Sequence, residues 1–131
     1  MTILSDEELE RYARHIVLKE IGGAGQTRLK AAHVLAVGAG GIGSPAIQYL
    51  AAAGVGKLTI VDDDRVDLSN LQRQTLFVAR DVGHGKAMVS GMRVSALNSH
   101  VDVRVHSRRI DACNVESHVR NADVVLDGTD N

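Results

Sequence analysis

The chain has 131 residues, 44% of them hydrophobic and 24% charged, which is typical of one soluble, cored domain. Its net charge of −1 and its few aromatic residues, Tyr12, Tyr49 and Phe77, argue against a nucleic-acid-binding surface. Because Cys113 is the single cysteine and no apolar stretch approaches the roughly 20 residues that span a bilayer, we expect a cytoplasmic protein without disulfides or membrane helices.

The N-terminal segment has the pattern of an amphipathic helix. Ser5 and Glu8 have the spacing of a capping box, in which each side chain satisfies a backbone N–H group of the first turn. Apolar residues then recur at helical spacing, at Leu9, Tyr12, Ala13, Ile16 and Val17. We expect a helix of about four turns that ends at Gly22-Gly23, followed by a short helix from Gly25 to Ala31.

From His33 onward, short apolar runs alternate with helical patterns. The predicted strands are residues 34–37, 58–61, 101–105 and 124–126, and the predicted helices are residues 44–53, 86–98 and 114–120. Strands that alternate with helices and have short connections favour a parallel sheet with right-handed crossovers. The sequence therefore predicts an α/β, doubly wound, Rossmann-like sheet preceded by N-terminal helices.

A glycine-rich loop follows the first predicted strand. Gly38, Gly40 and Gly43 match G-x-G-x-x-G, and Gly41 adds a further glycine. Such a loop permits a tight turn and lets the backbone approach phosphates at the start of the next helix. Asp62 follows the second strand, where an acid can accept hydrogen bonds from ribose hydroxyls. These features predict a nucleotide site, although NAD- and FAD-dependent enzymes share them.

The polar segment after the second strand favours a triphosphate. It offers Asn70, Arg73 and Gln74, and Lys86 opens the following helix. Cations directed at one site suit the charge that develops on a leaving pyrophosphate, although alone such a segment could be a solvated loop. Asp130 lies at the carboxyl edge of the predicted sheet, where a Mg²⁺ bridging phosphates would need an oxygen ligand.

Five segments resemble the ThiF/MoeB/HesA family, the bacterial relatives of ubiquitin-activating enzymes, and look closest to its MoeB-like branch. They are residues 11–16, 38–43, 69–74, 82–87 and 127–131, in the order and spacing of the family. The resemblance implies a homodimer that binds ATP and Mg²⁺ and adenylates the C-terminal Gly-Gly carboxylate of a ubiquitin-like sulfur carrier protein.

The resemblance also assigns roles to matching positions in this chain. It places Asp62 on the ribose, Asn70, Arg73 and Lys86 on the phosphates, and Asp130 at the magnesium site. Arg14 would be an arginine finger that reaches into the partner subunit's site. The apolar stripe of the first helix, which must be buried somewhere, independently favours a homodimer. Because the chain stops just after the fourth strand, we expect residues 1–131 to be a single ATP-binding adenylation domain, the N-terminal part of a longer protein.

Three alternatives stay open on the sequence. An NAD-dependent oxidoreductase domain would use the same glycines and Asp62, but would leave Arg14 and the cluster from Asn70 to Lys86 without a role. A carrier protein of amino-acid or siderophore-type biosynthesis could replace one of molybdopterin or thiamine biosynthesis. A non-catalytic dimerisation or scaffold module is the third alternative, against which the retained polar residues argue.

Overall fold

The helices and strands of the domain alternate after an N-terminal helical segment. The computed structural model describes residues 3–129. Their helices and strands are α1 (Asp6–Arg11), α2 (Ala13–Ile16), α3 (Gly22–Ala31), β1 (His33–Val37), α4 (Gly43–Ala53), β2 (Lys57–Val61), α5 (Lys86–Leu97), β3 (Asp102–His106), α6 (Val115–Val119) and β4 (Val124–Asp127). Among these described helices, none is long and apolar enough to cross a membrane.

The four strands form one parallel sheet in the order β3-β2-β1-β4. The strand order reverses at β1, since β2 and β3 extend to one side of it and β4 lies on the other. In doubly wound sheets, ligands bind outside the carboxyl ends of the strands at such a reversal. The predicted fold class is therefore confirmed, and the sheet directs attention to the loop that follows β1.

The two central strands are buried on both faces. Val34 and Ala36 of β1 and Leu58 and Ile60 of β2 belong to the main core, which α4 and α5 cover. Leu35 lies on the opposite face and is also buried. Burial on both faces explains why β1 and β2 have continuous apolar sequences instead of alternating ones.

The prediction of one four-turn N-terminal helix was wrong. The capping box of Ser5 and Glu8 is present, but the helix is interrupted at Tyr12, which has φ −102° and ψ 14°. Tyr12 leaves the helical conformation where its side chain enters the domain and its hydroxyl accepts a hydrogen bond from Asn98 Nδ2 at 2.7 Å. Gly22 starts α3 instead of ending the first helix, because the chain turns there with φ 62°.

Candidate nucleotide-binding site

A cavity of about 730 Å³ lies at the carboxyl ends of the strands, where the strand order reverses. It collects most of the residues that the sequence predicted for nucleotide binding. Those residues are Gly38, Gly40, Gly41, Asp62, Asn70, Arg73, Gln74 and Lys86. They come from three separate segments of the chain, and the parallel sheet brings these segments to one edge.

The glycine loop closes tightly between β1 and α4. A Cβ atom on Gly43 would lie 1.9 Å from the carbonyl oxygen of Gly38, so no side chain fits at this position. Cβ atoms on Gly40 and Gly41 would make only ordinary van der Waals contacts, with the side chains of Gln74 and Arg73. Gly43 therefore serves close packing, whereas the other two leave room for a ligand beside the backbone.

Asp62, which follows β2, is oriented by the backbone. Its Oδ2 accepts a hydrogen bond from the N–H of Ala39 at 2.8 Å, and its Oδ1 accepts one from the N–H of Asp64 at 2.7 Å. Each carboxylate oxygen keeps a further lone pair toward the cavity, since a carboxylate offers about four acceptor positions. The group can therefore accept hydrogen bonds from a ribose without losing its own orientation.

Asn70 ends a short 3-10 turn that Asp67 caps. The side-chain oxygen of Asn70 accepts a hydrogen bond from the N–H of Asp67 at 2.8 Å, while Asp67 Oδ1 accepts one from the N–H of Ser69 at 2.9 Å. The hydrogen bonds from the Ser69 backbone and hydroxyl hold the pKa of Asp67 below its usual range, and the positive charge of Lys86 adds to the effect. These two hydrogen bonds form a capping box that uses the side-chain oxygen of Asn70 and leaves its NH₂ group as a donor for an anionic ligand.

Arg73 and Gln74 follow this turn and face the glycine loop. Arg73 is exposed, and its guanidinium Nε lies 3.4 Å from the position of a Cβ on Gly41. Gln74 is only 3% exposed, and its buried Oε1 has no hydrogen-bond partner among the described residues. An unpaired buried acceptor costs free energy, so a ligand that donated a hydrogen bond to Gln74 would recover that cost.

Lys86 begins α5 and is buried at 6% exposure. Its backbone N–H donates to the carbonyl of Asp64 at 2.9 Å, and its Nζ lies 3.9 Å from Asp64 Oδ2. Among residues 3–129, the ammonium group is thus held at the cavity wall by a loose ion pair with Asp64. A buried ammonium group in this position favours a ligand of high negative charge.

The segment that carries Arg73 and Gln74 is braced from behind by two helices. The hydroxyl of Ser44, in α4, accepts a hydrogen bond from the N–H of Leu76 at 3.1 Å. Arg93, in α5, donates to the carbonyl of Leu76 at 3.1 Å and forms an ion pair with Asp81. Burial raises the pKa of Asp81, but the hydrogen bond from the N–H of Val78 and the Arg93 guanidinium outweigh burial and hold this pKa below its usual range.

Two predicted site residues within the described part of the chain do not line the cavity. Gly43 lies beneath the glycine loop, and Arg14 is exposed on α2, outside the set of residues that line the cavity. Asp130 lies outside the described residues. Cys113 is exposed in the turn before α6 and is not part of the lining either.

Sequence reasoning missed Arg108 and Arg109, which line the cavity from the loop after β3. The side chain of Asn114 holds this loop by donating to the carbonyl of Arg109 at 2.9 Å. The signal for them was present, since two adjacent arginines follow a predicted strand at the edge where ligands bind. The same cavity has apolar lining residues, namely Val37, Val61, Ile110, Val115 and Val119.

The doubly wound sheet, the glycine loop and the oriented acid after β2 define a Rossmann-like nucleotide-binding domain. A sequence model described as the ThiF family matches residues 12–131, and the chain belongs to this family. The resemblance noted in the sequence is therefore confirmed.

Curated relatives of the chain are activating enzymes and adenylyltransferases by name. The SAMP-activating enzyme E1 of Haloferax volcanii is 50% identical over 132 residues, which cover 100% of this chain and 49% of the relative. The sulfur carrier protein adenylyltransferase of Thermus thermophilus is 48% identical over 125 residues, which cover 95% of this chain and 46% of the relative. The probable molybdopterin-synthase adenylyltransferase of Porphyra purpurea is 45% identical over 130 residues, covering 99% and 34%. The chain thus spans half or less of the length of these relatives.

Solved structures agree with this assignment. TcdA (CsdL) superimposes with a TM-score of 0.93 at 30% sequence identity, covering 100% of this chain and 52% of that protein. Escherichia coli tRNA N6-threonylcarbamoyladenosine dehydratase, TcdA, in complex with ATP has a TM-score of 0.92 at 29% identity, covering 98% and 53%. The fold of this chain is therefore similar to one that has been solved with bound ATP.

Proposed function

We propose that the chain is the ATP-binding part of an adenylyltransferase that activates the C-terminal glycine carboxylate of a ubiquitin-like sulfur carrier protein. The observation that carries the proposal is one cavity that unites the glycine loop, the oriented Asp62 and the donors Asn70, Arg73 and Lys86. Relatives named as sulfur carrier and molybdopterin-synthase adenylyltransferases support the reaction class.

In this reaction ATP is a substrate. The terminal carboxylate of the carrier is already ionised at neutral pH, so no general base is needed. A carboxylate oxygen attacks the α-phosphorus, the bond to the pyrophosphate oxygen breaks, and an acyl-adenylate and pyrophosphate form. Catalysis by the chain would consist of positioning the triphosphate and stabilising the charge that develops on it.

Each cavity residue has a role that its geometry supports. Asp62 would accept hydrogen bonds from the ribose, because both carboxylate oxygens are already aimed by backbone N–H groups. The NH₂ group of Asn70, the Arg73 guanidinium and the Lys86 ammonium would donate to phosphate oxygens. The amino end of α4 and the open backbone at Gly40 and Gly41 would approach the same phosphates.

Magnesium would be held jointly by cavity carboxylates and the phosphates of ATP, since no group of three or more acidic, histidine or cysteine side chains within residues 3–129 could hold a metal by itself. Asp63, Asp64 and Asp127 line the cavity beside the predicted phosphate donors, and Asp130 follows Asp127 by three residues. Carboxylate and phosphate oxygens are the ligands that Mg²⁺ prefers. Hydrogen bonds from the hydroxyl and N–H groups of Thr129 hold the pKa of Asp127 below its usual range, so this group stays ionised and able to bind a cation.

A homodimer would complete the site. Arg14 is exposed on α2 and does not line the cavity of its own chain, so it could reach a bound triphosphate only from a second copy. We propose that Arg14 of one subunit contacts the triphosphate in the other, as the resemblance to the family implied. Such a protein would work in the cytoplasm, where a free thiol such as that of Cys113 stays reduced.

The test is carrier-dependent ATP–pyrophosphate exchange by the full-length protein. We expect exchange with ATP, Mg²⁺ and the intact carrier, no exchange with a carrier that lacks its terminal glycine, and a loss of at least about 100-fold in Arg73→Ala. Arg28→Ala serves as the matched control, because Arg28 is exposed on α3 and is not part of the cavity. Calorimetric binding of NAD without binding of ATP and Mg²⁺ would instead establish the oxidoreductase alternative.

A further inference from the structure

A buried polar cluster lies at the end of the domain opposite the nucleotide cavity. We call Tyr12, Gln26 and Asn98 the anchor network. Helices α4 and α5 begin at the cavity, with Gly43 and Lys86, and the anchor network contacts both where they end. An 11-residue helix such as α4 is about 16 Å long, so the two sites are separated by roughly that distance.

Hydrogen bonds join the N-terminal helices to these helix ends. Asn98 Nδ2 donates to the hydroxyl of Tyr12 at 2.7 Å and to the carbonyl of Ala51 at 2.8 Å. Gln26 Nε2, in α3, donates to the carbonyl of Ala53 at 2.8 Å, and its Oε1 lies 3.1 Å from Nδ1 of His15. The anchor network therefore ties α2 and α3 to the last turn of α4 and the residue that follows α5.

The anchor network is closely packed and its polar atoms are paired. Tyr12 is 3% exposed, and Gln26 and Asn98 are fully buried. A Cβ on Gly54 would lie 2.6 Å from both Gln26 Nε2 and the Tyr12 ring, so even a methyl group would displace it. A buried network with every member satisfied favours one arrangement of the elements that it joins.

This arrangement determines where Arg14 points. Arg14 lies on α2 between Tyr12 and His15, and both of these neighbours are tied to the domain interior. The hydrogen bonds of Tyr12 and His15 flank Arg14 in the chain, so they fix the backbone that carries its side chain. Arg14 itself is exposed and does not line the cavity of its own chain. A second copy of the chain is the partner that such a side chain could reach.

We propose that Tyr12 and Asn98 are positioning residues that hold Arg14 at the angle required to contact the triphosphate bound by a second copy of the chain. The proposal rests on the proposed function, in which Arg14 acts across subunits. Within residues 3–129, the hydrogen bonds of the anchor network reach the far ends of α4 and α5 and no residue of the cavity lining, so we expect its effect on the reaction to act through α2 and Arg14. It should alter the rate of adenylation without altering the affinity of the subunit's own cavity for ATP.

The test is Tyr12→Phe in the full-length protein, which deletes the hydroxyl and keeps the ring that fills the core. We expect kcat of carrier-dependent exchange to fall about tenfold or more, since small misplacements of a catalytic group are this costly. The KM for ATP should stay within about twofold. Tyr49→Phe is the matched control, because Tyr49 is exposed on α4 and its hydroxyl forms no hydrogen bond within residues 3–129; it should change neither parameter.

A double variant tests the route through Arg14. If Tyr12 acts only by positioning Arg14, the double variant Tyr12→Phe with Arg14→Ala should be no slower than Arg14→Ala alone. A multiplicative loss in the double variant, or a wild-type kcat in Tyr12→Phe, would overturn the proposal. Wild-type exchange by Arg14→Ala would overturn both the role of Arg14 and the inference drawn from it.

Amide hydrogen exchange separates this inference from the proposed function. We expect the amides of residues 11–17 to exchange faster in Tyr12→Phe than in the wild type or in Tyr49→Phe, whether or not the protein adenylates a carrier. Unchanged protection would show that the anchor network does not hold α2, and the inference would fail alone. If Tyr12→Phe loosens α2 as expected but the wild-type protein shows no ATP–pyrophosphate exchange with any carrier, the proposed function would be overturned instead.

Discussion

A single buried polar side chain at the cavity can affect both the free energy of unfolding and the affinity for a ligand. Gln74 has little exposed surface, and its Oε1 lacks a partner within the described part of the chain. An unsatisfied buried acceptor costs about 1–3 kcal/mol, which a ligand that pairs with it would offset. The free protein thus keeps an unpaired polar group in a residue that lines the cavity, as expected for a binding site.

We expect Gln74→Met to stabilise the free protein by about 1 kcal/mol and to weaken ATP binding about tenfold. Methionine has a similar volume and removes the unpaired amide, but it cannot hydrogen-bond to a nucleotide. Urea unfolding would measure the first effect and calorimetric titration with ATP and Mg²⁺ the second. Gln72→Met is the control, because Gln72 is exposed and outside the cavity lining. Wild-type ATP affinity in Gln74→Met would remove Gln74 from the site.

At the scale of elements, the position of the segment that carries Arg73 and Gln74 depends on the two helices behind it. Residues 71–81 contain no α-helix or strand, so side chains must hold them in place. Ser44 from α4 and Arg93 from α5 both bind the backbone of Leu76, and Arg93 also pairs with Asp81. The helices that begin at the cavity therefore also shape the segment that closes it.

We expect Arg93→Gln to lower the free energy of unfolding at pH 7 by about 2 kcal/mol, because it leaves the largely buried Asp81 carboxylate unpaired. The folded-state pKa of Asp81 lies below its unfolded value of about 3.9, so its contribution to stability is present above that value. The contribution is lost as the pH falls through the folded-state pKa. The difference in stability between the wild type and Arg93→Gln should therefore be smaller in acid than at pH 7.

Urea unfolding of both proteins at pH 7 and pH 3 would measure this difference. Arg104→Gln provides a matched control, since Arg104 forms a similar pair with Asp102 that is more than half exposed. Exposed pairs contribute at most about 1 kcal/mol, so this variant should change stability little at either pH. An equal loss in the two variants at pH 7 would contradict the bracing role of Arg93.

At the scale of the whole molecule, the N-terminal helices leave apolar surface uncovered. Tyr12 is the buried member of the predicted apolar stripe, whereas Leu9 and Val17 are exposed, and Val17 reaches 80%. Leu18, directly after Val17, is also exposed. Arg14 is exposed on α2, three residues before Val17, so apolar surface and the proposed arginine finger occupy neighbouring positions in the chain.

We expect the protein to be a homodimer whose interface includes α1 and α2. Val17→Asp with Leu18→Asp should shift the mass measured by light scattering at micromolar concentration from dimer to monomer, because it places charges in an apolar contact. The circular dichroism spectrum should not change, since neither side chain is part of the core. Met92→Asp, at an exposed position on α5, should leave the dimer intact. A monomeric wild type would remove the basis for a cross-subunit role of Arg14.

The sequence by itself determined the features that local patterns encode. Continuous apolar runs identified β1 and β2 as strands buried on both faces, and the glycine loop with Asp62 predicted a nucleotide site where the structure has a cavity. The motif from Asn70 to Gln74 and Lys86 also predicted residues that the structure places around one cavity. Backbone conformation and residue spacing are local properties, so a single sequence is enough to read them.

Only the tertiary structure decided which distant segments meet. The strand order β3-β2-β1-β4 brings Arg108 and Arg109 to the cavity, and no local pattern specifies that order. The break at Tyr12 likewise depends on Asn98, 86 residues away, because a side-chain hydrogen bond to a distant partner overrides helical propensity. The exposure of Arg14 follows from the same contact. Non-local contacts of this kind arise from the packing of whole elements, which periodicity and motif spacing do not contain.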